Sequence, residues 1–114
     1  MKIEKFEDIL AWQKAKVLTI RIYSIFEKHR DYGFKDQIQR ASVSIMNNIA
    51  EGFERKGDKE FKHFLSISKG SCGEVRSMLY LGYELNYLSK KEFGELYALV
   101  IETSKIVRGL MKVL

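Results

Sequence analysis

The stretch Gln37–Gly52, QIQRASVSIMNNIAEG, decides the fold. Ile38, Ala41, Ile45 and Ile49 recur at spacings of three and four, which places them on one face of an α-helix. Val43, Met46, Ala50 and, just beyond, Phe53 carry the apolar surface on round toward the far side. A helix packed on one side needs an apolar stripe little more than about 100° wide, and this one has roughly twice that. What remains is a polar strip of Arg40, Ser44, Asn47 and Glu51, flanked by Asn48 and Arg55. Such a helix is expected to pack on two sides. The strip then either lies at a junction between helices or subunits or faces a ligand. At a junction, Arg40 and Glu51 can pair, and Ser44, Asn47 and Asn48 can satisfy one another or a neighbour's backbone. Groups of this kind are costly when buried unpaired and fix register when paired.

Outward from this helix, expected over Phe34–Arg55 with Asn48 and Gly52 on its inner seam, the same periodicity predicts three more. The first runs from Asp8, a candidate N-cap, to Lys28, with a seam of Ala11, Ala15, Leu18, Ile22 and Ile25. Gly33 ends or turns the link that follows. The third runs from Asp58 to Leu85 over Phe61, Leu65, Ser68, Cys72, Val75 and Leu79, with Gly57 and Asp58 as break and cap and Asn86 as terminator. The fourth runs from Ser89 to the C-terminus over Phe93, Tyr97, Val100, Ser104, Val107 and Met111, and Ser89–Glu92 reads as a capping box. Links of a few residues make neighbours antiparallel. The expected fold is all-α: one domain over residues 1–114, an up-down-up-down four-helix bundle.

Composition agrees. Proline is absent, which suits uninterrupted helices. Cys72 is the one cysteine, which excludes an intramolecular disulfide and points to a reducing cytoplasm. The first residues lack the apolar core of a signal peptide, and no apolar run approaches a membrane span, so no membrane partner is expected. A net charge of +5 and a pI near 9.3 permit a nucleic-acid or acidic partner and equally fit an ordinary soluble protein.

Further apolar and small residues lie outside the seams. Ser66, Gly70, Gly73 and Ser77 form a ridge of small side chains opposite the core face of helix three, and two glycines inside a helix cost about 1 kcal/mol each relative to alanine. Helix one turns Val17 and Ile20 away from its seam. With the wide apolar surface of helix two, these features predict a homo-oligomer of closed symmetry, against the simpler alternative of a monomer with scattered surface hydrophobics.

Three groups of cations repeat in register. Lys62, Lys69 and Arg76 recur every seven residues along helix three, and Lys14, Arg21 and Lys28 do so along helix one. Arg55, Lys56 and Lys59 crowd the turn before helix three. Each row can follow a phosphate backbone, or it can be a solvated face with local ion pairs, since Glu60 and Glu74 interrupt the positive field. Tyr80, Tyr83 and Tyr87 can stack on bases or pack the end of the bundle. Nothing suggests an enzyme, a cofactor or a metal site. His29 and His63 stand outside any metal-ligand spacing, Cys72 lies on the core seam, and Gly70–Gly73 lacks the lysine of a phosphate loop. A Glu51–Glu74 carboxylate pair lacks the Glu-x-x-His motifs of a di-metal bundle.

Three ordered motifs, Trp12–Ala15 (WQKA), Arg40–Gly52 (RASVSIMNNIAEG) and Gly70, Ser71 and Glu74, carry a resemblance over nearly the whole chain, together with Leu81–Tyr83. The sequence resembles the four-helix-bundle family named for ribosomal RNA intervening sequences. It departs from that pattern at Ser68 and Cys72, where alanine and leucine are usual. The resemblance implies a bundle that assembles into a ring, commonly a pentamer. It also links the chain to accessory variability proteins of diversity-generating retroelements, basic rings that bind nucleic acid and a reverse transcriptase. The expectation is thus a non-enzymatic ring that binds RNA or DNA beside such a partner; the alternative is a protein-interaction scaffold of the same shape.

Overall fold

The computed structural model describes residues 3–114. A short 3-10 turn at Phe6–Asp8 leads into α1 (Leu10–Ile25), α2 (Tyr32–Glu54), α3 (Asp58–Glu84) and α4 (Lys90–Lys112). Each helix packs on two neighbours, α1 on α2 and α4, and α3 on α2 and α4. This is an antiparallel four-helix bundle 42 Å long, with α1 and α3 on one diagonal and α2 and α4 on the other.

Local chemistry sets the ends. Asp8 does not cap α1. Ile9 occupies that position without a side-chain cap, because it is buried at 3% exposure and draws the chain inward. The Gln13 side chain instead donates to the carbonyl of Glu7, and Phe6 packs edge-on to Trp12. α1 stops before Lys28, where Phe26 turns inward against Phe34 and Lys35 Nζ satisfies the Glu27 carbonyl. Gly33 does not end a helix. It lies in the first turn of α2, and Asp31 caps that helix by accepting from the Phe34 amide at 3.1 Å.

Between α2 and α3 the left-handed residue is Lys56, at φ 65°, and Gly57 serves as an extended N-cap. α3 closes in a Schellman turn: Asn86 is left-handed at φ 62°, its amide donates to Tyr83 O, and the Tyr87 amide donates to Gly82 O. The capping box at Ser89 and Glu92 is present, with bonds of 3.0 and 2.9 Å.

The α3 seam is buried along its full expected length, from Phe61 through Leu65, Ser68, Cys72 and Val75 to Leu79. On α4 the inner stripe is Leu96, Val100, Thr103, Val107 and Leu110, whereas Phe93, Tyr97, Ser104 and Met111 are half-buried. The helix is rotated from its expected orientation, because it must present one flank to α1 and the other to α3. Ile25 on α1 and Asn48 on α2 are likewise half-buried, and Ile49 takes the inner place beside Asn48.

Candidate nucleic-acid interface

The apparent contradiction in α2, apolar round most of its circumference yet studded with polar groups, resolves within one subunit. Met46 and Phe53 pack against the core. Polar contacts join α2 to α1 and α3, and of the α2 strip Ser44 is the residue whose side chain reaches a neighbouring helix. Thr19 Oγ1 donates to the carbonyls of Ala15 and Ser42, and Ser68 Oγ donates to that of Ile45 at 2.8 Å. Ser44 and Ser71 share a hydroxyl–hydroxyl bond of 2.8 Å across α2 and α3, and Asn48 Nδ2 donates to both oxygens of Ser44. Among the described residues no buried side-chain polar atom lacks a partner. This seam rigidifies the α2–α3 pair and leaves no buried polar group free to hold a ligand.

Arg40 and Glu51 do not pair, although the sequence allowed it. They stand eleven positions apart along the helix, and Glu51 instead meets Arg55, one turn away, at 2.8 Å. Arg40, Asn47 and Glu51 are exposed. So are Ser66, Gly70, Gly73 and Ser77, and a Cβ added at Gly70 or Gly73 would have no atom within 4 Å outside its own helix turn. The ridge is therefore open ground on the outer side of α3, with Ile67 and Leu81 exposed on the same helix at 40% and 47%.

The cations separate into two groups. Lys14 meets Glu102 at 3.3 Å and Arg21 meets Glu95 at 2.7 Å, so α4 carboxylates neutralise the two cations of that row that lie on α1. The hydrogen bond from Arg21 holds the Glu95 carboxyl below its ordinary pKa. Arg55 bridges Glu51 and Glu60 and lies 5.0 Å above the ring of Phe64, and its pKa is raised chiefly by the bond to Glu51. Lys56 stands over Phe53. Lys28, Lys59, Lys62, Lys69 and Arg76 are exposed, and among the described residues none of them enters an ion pair.

Lys69 and Arg76 flank a cleft of about 130 Å³ between α3 and α4, lined also by Cys72, Gly73 and Ser104. Burial pushes the Cys72 thiol up to about 12, so it remains neutral and puts no anion on the floor. One turn past Ser104, Arg108 continues the same stripe, and Lys105 and Lys112 are exposed on α4 as well. These α4 cations lie outside the three groups that repeat in register, although their spacing of three and four is visible in the sequence.

The tyrosines also divide. Tyr87 packs the bundle end, its hydroxyl donating to Asp31 Oδ2 at 2.7 Å and its ring lying 4.1 Å from His29. That bond raises the Tyr87 pKa and, together with the bond from the Phe34 amide, lowers that of Asp31. Tyr80 and Tyr83 remain open to solvent beside Phe93 and Tyr97. Among the described residues no three His, Cys, Asp or Glu side chains are placed to hold a metal, and no helix is long and apolar enough to cross a membrane.

The sequence matches the 23S rRNA-intervening sequence protein family from residue 7 to residue 109. The chain belongs to that family. A solved structure described as a protein with unknown function from the S23 ribosomal protein family of Bacteroides thetaiotaomicron superposes with a TM-score of 0.84. It covers 90% of this chain and 99% of its own at 20% identity, a likeness that establishes the fold alone. No curated protein matches the chain. The family match and the shared fold together cover most of the bundle.

Proposed function

We propose that the protein is a non-enzymatic homo-oligomer that binds RNA or DNA through the α3–α4 face, as an accessory in a nucleoprotein complex. The observation that carries this reading is the row of Lys62, Lys69 and Arg76, unpaired on α3, while Lys14 and Arg21 on α1 are neutralised by α4 carboxylates. Unpaired surface cations attract phosphates without regard to sequence, and binding of this kind weakens steeply with salt. Two features support assembly. Leu10, Val17 and Ile20 are exposed at 50–57% on the outer side of α1, and the small-residue ridge with Ile67 and Leu81 lies on the outer side of α3, across the bundle diagonal. Two different faces on opposite corners suit a heterologous contact, which forms a ring when the rotation between subunits closes. A pentamer and a reverse-transcriptase partner are the forms the family resemblance favours.

The test is binding to labelled structured RNA and duplex DNA across a salt series, with the mass of the particle measured by light scattering. A ring-sized particle whose affinity falls log-linearly with salt is expected. A particle that binds neither probe at low salt refutes the proposal and leaves the exposed apolar faces as those of a protein scaffold.

A further inference from the structure

Beyond sequence-independent phosphate binding, the α3–α4 groove carries features that favour one physical form of nucleic acid. Along α3, in order, stand Lys69, Arg76, Tyr80 and Tyr83. Arg76 and Tyr80 are one turn apart, about 6 Å along the axis, and Lys69 lies about 10 Å before Arg76. Lys69 and Arg76 flank the cleft beside Ser104, and at Gly73 no side chain fills it.

Where the cleft ends, the groove becomes aromatic. Tyr80 is 51% exposed, yet its ring packs at a tilt on Phe93 at 5.5 Å and edge-on to Tyr97 at 5.6 Å, and its hydroxyl bonds that of Tyr97 at 3.2 Å. Tyr83, 39% exposed, lies 4.9 Å from Phe93, and Phe93 stacks on Tyr97. Core packing accounts for Phe93 and Tyr97, which are half-buried, and leaves the outer sides of Tyr80 and Tyr83 uncovered. Both rings already rest on Phe93, and Tyr80 also on Tyr97, which lowers the ordering cost of stacking.

We infer that this groove is a track for single-stranded nucleic acid, in which the Lys69–Arg76–Ser104 cleft takes a phosphate and Tyr80, with Tyr83, takes an unpaired base. The inference rests on the nucleic-acid reading above and narrows it. In a duplex the base faces are stacked on one another, and a surface tyrosine has none to meet. In a single strand every base has a free face, and an aromatic next to a cationic groove captures it without regard to sequence. Arg76 serves either form, whereas Tyr80 serves only the unpaired one.

The experiment measures binding of the full-length assembled protein to three probes of equal length at one salt concentration: an oligouridine, a duplex RNA, and an abasic strand with sugars and phosphates but no bases. The wild type binds the oligouridine most tightly. Tyr80→Ala weakens oligouridine binding by roughly 5- to 150-fold, as loss of one stacked base does, and leaves duplex and abasic binding unchanged. Tyr80→Phe, which keeps the ring and drops only the hydroxyl bond to Tyr97, retains the preference. Arg76→Gln weakens all three. Equal binding of oligouridine and duplex, with Tyr80→Ala silent, overturns the single-strand assignment while the nucleic-acid function stands. Failure of every probe to bind overturns both. Unchanged helical circular dichroism in each variant shows that the effects are local.

Discussion

The two cation rows make opposite predictions although they look alike in the sequence. Replacing Lys62, Lys69 and Arg76 by Gln removes three unpaired charges per subunit from the proposed face. Each phosphate contact contributes about 0.7 to the slope of log K against log salt for a single strand and about 0.9 for a duplex. The triple variant therefore lowers the slope by roughly 2 to 3 for each engaged subunit. Between about 50 and 200 mM salt, the wild type loses roughly 20- to 40-fold more affinity than the variant does. Replacing Lys14 and Arg21 by Gln removes two charges that already face Glu102 and Glu95. Those lysine and arginine groups have little field left to offer a phosphate, so the slope stays as in the wild type. Exposed ion pairs also contribute little to stability, so the double variant folds. The assay is fluorescence anisotropy with a labelled strand over a salt series, with light scattering to show that assembly is unchanged. An α1 variant that lowers the slope as much as the α3 variant does refutes the assignment of the face.

Gly52→Ala is expected to destabilise the bundle by about 1–3 kcal/mol through overpacking, because the new Cβ would lie 2.7 Å from Phe64 Cβ and 3.3 Å from the Phe61 carbonyl, neither of which swings aside. Urea denaturation measures this, and unchanged stability would show that α2 and α3 separate easily there. Gly70→Leu, on the open ridge, is expected to leave the subunit folded and to reduce the particle mass in light scattering; an unchanged mass removes the ridge from the interface. Asp31, whose pKa is lowered chiefly by the Tyr87 hydroxyl, stabilises the fold above the ordinary carboxylate range, and this contribution is lost as pH falls below about 4 and through its depressed value. Asp31→Asn is expected to flatten that acid limb in denaturation curves recorded against pH, and a limb as steep as in the wild type would contradict the role of the Tyr87–Asp31 contact.

The core of α3 was legible because its apolar residues keep one stripe from Phe61 to Leu79, and a buried helix face leaves a period that sequence alone displays. The α4 stripe was misread because Phe93, Tyr97 and Met111 are as hydrophobic as the residues inside them, and their position on the flank toward α3 depends on a neighbour that periodicity does not see. Ser89 was legible as a cap because the box is local, whereas Asp8 was misassigned because the tertiary burial of Ile9 overrides the local preference. The same holds at the candidate site. Heptad spacing finds both cation rows, but only the packed bundle places Glu95 and Glu102 opposite one of them. The wide apolar surface of α2, read as a sign of assembly, is partly used inside the subunit by Met46 and Phe53. The apolar surface still open to another subunit lies on the outer faces of α1 and α3.

Because these faces differ from the one that carries the α3 cations, assembly and binding are separable by experiment. The ridge lies on the outer side of α3, the core seam on the inner side, and Lys62, Lys69 and Arg76 on the flank toward α4. Gly73 alone belongs to both ridge and cleft, whereas Gly70 belongs to the ridge. If the ridge joins subunits, Gly70→Leu yields a smaller particle with every cation and Tyr80 still in place. One such subunit still contacts about three phosphates, so its salt slope settles near 2 to 3. The ring, in which several subunits engage one strand, shows a steeper slope and an affinity raised by effective concentration alone. A smaller particle that keeps the full slope and affinity would mean that one subunit supplies the whole binding surface, and the ring would then have to serve some purpose other than holding the strand.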